Sequence, residues 1–235
     1  MEEQPIEHHH RDLRGGGARA SVFGVSDGLV TNISLILGVA GAHPGSSFVR
    51  LAGIAGLIAG SVSMASGEYI SMKAQRELLQ RELNIEREAI DEKPSQEADE
   101  LQEIYEKRGI DTDIARSMVD EVMGDPELAL ETHAREELGI DPNSLGSPIQ
   151  ASLASFGSFA LGALLPLIPW LFMTGTVATV ASISIAAIAA LGVGTVLAVF
   201  TGRPRWHSAI RQLAVTVVAA SVTYGIGRLV GVSST

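Results

Sequence analysis

The chain has 235 residues, no cysteine and a formal net charge of −10. The lack of cysteine excludes disulfides, thiolate metal sites and a cysteine nucleophile. The acidic balance argues against nucleic acid as a partner and for cations.

The charge is unevenly spread. Of 27 acidic residues, 21 lie between Glu77 and Asp141, and no charged residue occurs from Pro142 to Gly202. A soluble helical domain shows polar residues at regular intervals, so the charge-free run reads as membrane-spanning.

Residues 1–17 read as a disordered polar tail without the apolar core of a signal peptide. Its His8–His10 run is either a weak metal binder or a solvated tract. Residues 18–42 are the first span. On it Asp27, Thr31 and Ser34 fall at i, i+4 and i+7, a polar stripe on a lipid-sized helix, with Asn32 beside them. A carboxylate inside a membrane span marks a functional site by default. The competing reading has Asp27 as a cap or an interfacial partner of Arg19.

The second span runs from about Phe48 to Met72 and is rich in small residues suited to close helix contact. Met64, Glu68 and Met72 repeat every four residues and share one face. A thioether beside a carboxylate suits a metal softer than calcium or magnesium. The same helix is expected to continue as a charged segment until Pro94 stops it. Three short amphipathic helices should follow: Ser95 to Gly109, Asp111 or Thr112 to Gly124, and Asp125 to Gly139. Asp125-Pro126 supplies a cap and a first-turn proline for the last. Ile104, Ile114, Met118, Val122, Leu128 and Leu138 are the expected core of this bundle. Residues 147–172 and 176–202 read as two further spans, separated by Pro166, Pro169, Thr174 and Gly175. After the basic loop Thr201–Arg205, Trp206 opens a fifth, to about Val230.

The fold class is therefore all-α: a polytopic membrane protein with five transmembrane helices. A cytoplasmic helical metal-binding domain is inserted between the second and third. The expected divisions are 1–17, 18–73, 74–141 and 146–232. Arginine and lysine concentrate in the N-terminal tail, the acidic segment and the 201–207 loop, which puts those parts inside.

Within the acidic segment Glu86, Glu97, Glu100, Glu103, Glu136 and Glu137, with His133 and Met118, could converge on one cavity from several helices. A charge run is more often a solvated helix face. No nucleotide-binding loop, serine–histidine–aspartate arrangement or paired Glu-x-x-His occurs, so neither ATP-driven transport nor an enzyme is indicated.

Three motifs carry a family resemblance. Phe23-Gly-Val-Ser-Asp-Gly-Leu-Val-Thr-Asn32, Met64-Ala-Ser-Gly-Glu-Tyr-Ile-Ser71 and Arg135-Glu-Glu-Leu-Gly-Ile140 resemble the vacuolar iron transporter family. The resemblance covers about residues 18–232. It implies a homodimer exporting Fe2+ or Mn2+ from the cytosol in exchange for protons, with Zn2+ a further candidate and no prosthetic group. It implies Asp27 and Met64 as metal contacts in the transport path, with Glu68 in the same motif; Asn32 is added to that path from the stripe. It also implies Glu86, Glu97, Glu100 and Glu137 as carboxylates of the cytoplasmic domain, with Glu103 and Glu136 as near alternatives. Departures from the family pattern are Ala20 and Ala89, where acids are expected, and His133, where methionine occurs in some members. The membrane would be the plasma membrane in a prokaryote and a vacuolar or endomembrane in a eukaryote. The rival reading is a non-transporting membrane protein whose acidic domain binds a protein partner.

Overall fold

A computed structural model describes residues 16–42 and 45–233. The His8–His10 run and nearly all of the 1–17 tail lie outside the described residues, as do His43 and Pro44. The described residues are helical, with no strand: α1 (Gly16–Gly41), α2 (Ser46–Glu92), α3 (Pro94–Lys107), α4 (Thr112–Met123), α5 (Pro126–Glu136), α6 (Pro148–Phe172), α7 (Gly175–Thr201) and α8 (Arg205–Ser233). A short 3-10 turn, Pro142–Ser144, precedes α6. Five helices, α1, α2, α6, α7 and α8, are long and apolar enough to cross a membrane.

The chain divides into two compact units. One comprises Met1–Glu68 with Ile149–Thr235, and the other Tyr69–Pro148. Helix α2 belongs to both. Its 47 residues give a length of about 70 Å at 1.5 Å per residue, more than twice a bilayer core. Nothing in its sequence breaks it before Lys93, whose non-helical backbone (φ −137°) precedes Pro94 at the first position of α3.

In the five-helix unit, small residues set how closely helices approach. Gly28 of α1 faces the carbonyl of Phe159, and a Cβ there would also meet the Ala163 nitrogen at 2.9 Å. Gly162 of α6 answers with the same closeness to Val25 and Leu29 of α1. Glycine is required at both places because backbone meets backbone. Around this contact Leu29, Ile33 and Leu37 pack with Ala186, Ala190 and Ala220. Ile36, Val49, Leu167, Trp170 and Ala178 form a second cluster. Gly56 of α2 lies against Asn32, and Gly53 against Ile36, so α2 runs antiparallel to α1. Ser26 pairs with Gln212 and Gly38 lies at Thr223, so α8 runs parallel to α1.

The prolines of α6 do not end it. Pro166 and Pro169 both sit inside the helix, and the break falls at Thr174, followed by Gly175 in the left-handed region (φ 62°). A proline inside a membrane helix is tolerated where neighbours bond to its turn. Here the Ser182 hydroxyl donates to the Pro166 carbonyl at 2.6 Å, and the Asn32 amide donates to the Ala163 carbonyl at 2.6 Å.

The second unit is a small helical bundle. Leu101, Tyr105, Ala115 and Val119 form one cluster, and Ile90, Ala129 and Leu130 another; Val122 and Met123 touch both. Three expected core residues are not core: Ile114, Met118 and Leu128 are exposed. On α4 two apolar stripes compete, Ile114–Met118 and Ala115–Val119. The bundle buries the smaller pair, which lets α3 and α4 come together around Leu101 and Tyr105.

Candidate metal centre

Four side chains from three helices and a helix end meet inside the second unit. Glu86 comes from the outer part of α2 and Glu97 from the first turn of α3. His133 lies in the last turn of α5, and Glu137 caps that helix. Local sequence fixes these placements. The Lys93-Pro94 break turns the chain so that Glu97 returns towards Glu86. The Asp125 carboxylate accepts from the Glu127 and Leu128 amides and so sets where α5 begins. That start puts Leu130, His133 and Ala134 on the buried face.

One donor atom from each of Glu86, Glu97, His133 and Glu137 lies within 4.8 Å of the others. His133 Nδ1 is 3.1 Å from Glu86 Oε1, 3.8 Å from Glu137 Oε2 and 4.0 Å from Glu97 Oε2. His133 is fully buried, Glu86 and Glu97 are buried, and Glu137 opens the cluster to solvent. Neither ring nitrogen of His133, nor Glu86 Oε1, has a hydrogen-bond partner. Buried polar atoms are rarely left so, because each orphan costs the desolvation it does not recover.

The electrostatics point the same way. Burial pushes the Glu86 carboxyl up to about 7, with Glu137, Glu97 and Glu100 adding like-charge repulsion. Burial also raises Glu97, helped by Glu100 and Glu137 and opposed by Lys93. Burial lowers His133 below its ordinary value, while Glu137 and Glu100 pull it back up. The ring is thus favoured as a neutral donor, and the carboxylates are crowded by one another. An imidazole nitrogen with up to three carboxylate oxygens is a donor set that suits Fe2+, Mn2+ or Zn2+. A bound cation would satisfy His133 Nδ1 and Glu86 Oε1 and cancel the repulsion.

Other acidic residues expected at this site lie differently. Glu100 is close enough to shift all three titrating groups, and its Oε1 accepts from Gln96 at 3.1 Å. Glu103 is exposed and pairs with Lys107 at 2.9 Å. Glu136 points away from the cluster and pairs with Arg108.

In the five-helix unit, Asp27 is exposed on α1 and accepts from the Thr31 hydroxyl at 3.4 Å. Met64 is half-buried, and its terminal methyl lies 3.4 Å from where a Cβ on Gly24 would sit, one turn before Asp27. Glu68 is half-buried where α2 leaves this unit. Asn32 is turned away from the Asp27 stripe. It is fully buried, bonds to α6, and leaves its Oδ1 unpaired beside Gly56. Sequence reading passed over Gln212, whose amide donates to Ser26 at 2.7 Å just before Asp27. The signal available was a lone amide in an otherwise apolar span.

A model of the VIT family matches residues 18–228. The chain belongs to the VIT family. A rice protein named vacuolar iron transporter 1 is 33% identical over 228 residues, which cover 95% of this chain and 90% of that protein. The rice vacuolar iron transporter 2 is 30% identical, covering 95% and 92%. The Arabidopsis vacuolar iron transporter 1 is 35% identical over a shorter stretch, 60% of this chain and 57% of its own length. In this VIT-family chain the matched region takes in Asp27, Met64 and Glu68 together with all four residues of the buried cluster.

Proposed function

We propose that this VIT-family chain is a homodimeric transporter that exports divalent iron or manganese from the cytosol in exchange for protons. The observation that carries the reading is His133, a fully buried imidazole whose Nδ1 faces three carboxylates and whose Nε2 has no hydrogen-bond partner. In a family whose relatives are named for iron transport, that donor set reads as a cation receiver. The basic residues at the ends of the spans favour a cytosolic location for the acidic unit.

The transport path runs along α1 and α2. Glu68 receives the cation at the inner mouth, and Met64 and Asp27 hold it deeper. An exposed carboxylate such as Asp27 on an apolar helix would be costly against lipid, so a second copy of the chain faces it. Protonation of the path carboxylates from the far side releases the cation there, which couples outward metal to inward protons. Asn32 serves the path indirectly, by tying α1 to the proline-containing turn of α6.

Purified protein in liposomes tests this. Uptake of Fe2+ and Mn2+, with Zn2+ compared, should require an inside-acidic pH gradient. It should fall in Glu86→Gln and His133→Ala variants at limiting metal. Flux that ignores the gradient would remove the exchange mechanism, and no metal flux under any condition would remove transport itself.

A further inference from the structure

The turn between α7 and α8 has a charge pattern that the metal path does not use. After Asp141 the chain has no acidic side chain, yet it carries Arg203, Arg205, Arg211 and Arg228. Two of these arginines sit in one turn, Gly202-Arg-Pro-Arg205, between two spans. Gly202 takes the left-handed conformation (φ 66°) that reverses the chain there. Arg203 and Arg205 are both exposed, and neither makes an ion pair among the described residues. Trp206 follows at once, 62% exposed, with its ring 3.6 Å from that of His207.

The position of the turn decides what can meet it. Because α8 runs parallel to α1 and α2 antiparallel, the turn lies at the end of the five-helix unit where α1 begins and α2 leaves. In a unit whose helices cross a bilayer, that end is one rim of the apolar slab and meets the headgroups. An exposed tryptophan is stable there because its ring is apolar and its N–H is wet. A guanidinium at that depth meets phosphate, which it binds with two parallel hydrogen bonds.

We propose that the α7–α8 turn binds the headgroup of an anionic phospholipid, with Arg203 and Arg205 holding the phosphate and Trp206 seated at the bilayer interface. The inference rests on the membrane-spanning reading and not on metal transport. The site gives the five-helix unit a fixed depth and a preference for negatively charged leaflets.

The test uses the full chain in detergent micelles carrying either phosphatidylglycerol or phosphatidylcholine, with retained lipid counted by native mass spectrometry. The wild-type protein should retain phosphatidylglycerol over phosphatidylcholine. Replacing either arginine (Arg203→Gln or Arg205→Gln) should weaken that preference roughly fivefold, and replacing both more. Arg228→Gln, at the other end of the unit, should leave it unchanged. Metal flux in phosphatidylcholine liposomes should be unaffected by either turn variant, which separates this result from any failure of the transport reading. A preference that survives the double replacement overturns the proposal. So does an equal loss in Arg228→Gln, which would mean diffuse charge and not a site. Inorganic phosphate at millimolar concentration should not displace the lipid; if it does so fully, the ligand is a free anion and the lipid assignment falls.

Discussion

His133 Nδ1 and Glu86 Oε1 lie 3.1 Å apart in the interior of the acidic unit, and neither atom has a hydrogen-bond partner. The two residues are 47 positions apart in the chain, on α2 and α5, and burial acts on their charged forms with opposite effects on pKa. A divalent cation between them would reconcile both.

Removing one donor should therefore cost binding more than fold. Glu86→Gln and His133→Ala are each expected to weaken metal affinity by about ten- to a hundredfold, as the loss of one ligand or its close support commonly does. Isothermal titration of the purified protein with Mn2+ measures this directly. Glu103→Gln serves as the comparison, since Glu103 is exposed and paired with Lys107, and its affinity should stay within about twofold of the wild type.

The site should respond to pH near neutrality. The Glu86 carboxyl is raised to about 7, so the folded protein holds a proton there that the unfolded chain gives up near 4.5. Stability contributed by this group is full below about 4.5 and is lost as pH rises through about 7. Metal binding runs the other way, because the cation needs the carboxylate form. Affinity for Mn2+ should rise between pH 6 and 8, and the thermal shift on adding Mn2+ should be larger at pH 8 than at pH 6. A binding curve flat across that range would remove Glu86 from the site. His133, lowered by burial, adds a loss of stability below its ordinary value near 6.5, which opposes the Glu86 effect on the acid side.

Asp27→Asn keeps the size of the side chain and removes its charge. Transport of Fe2+ or Mn2+ into liposomes should be abolished while the protein still folds and inserts, since Asp27 is exposed and its one hydrogen bond, from Thr31, can still be accepted by the amide oxygen. Metal binding by the acidic unit should persist. Loss of flux with retained binding separates path from receiver.

The α1–α6 contact offers a structural counterpart. Gly28→Val puts a branched side chain against the Phe159 carbonyl and the Ala163 nitrogen, which are backbone and cannot rotate away. The expected cost is about 3 kcal/mol or more, the upper range for overpacking. Size-exclusion profiles and thermal melts in detergent should show it. Gly192→Ala, where a Cβ would meet nothing, should be silent by the same measures.

The long helix was legible in advance because nothing between Phe48 and Glu92 can stop a helix, whereas Lys93-Pro94 can. The cap of α5 was legible for the same local reason, with Asp125 accepting as expected; for α4 the sequence offered Asp111 or Thr112, and it is Asp111 that accepts the Asp113 amide. The core of the acidic unit was not. Ile114 and Ala115 are neighbours on α4, and only packing against Leu101 and Tyr105 decides which of them turns inward. The prolines of α6 misled in a similar way: alone they read as a break, but Ser182 and Asn32 bond to their turns.

Sequence alone determined that five stretches are apolar enough to span a membrane and that most of the acidic charge lies between the second and third. Both follow from composition, because transfer from water depends on which residues are present and hardly at all on their partners. It also supplied a pool of acidic candidates, all on helices. Which of them meet was decided only by tertiary structure. Glu86, Glu97 and Glu137 turn inward to His133, while Glu103 and Glu136 turn out to Lys107 and Arg108. On a helix face such residues are equivalent neighbours, and the angle at which α2, α3 and α5 pack is what separates a buried, clustered carboxylate from a solvated one.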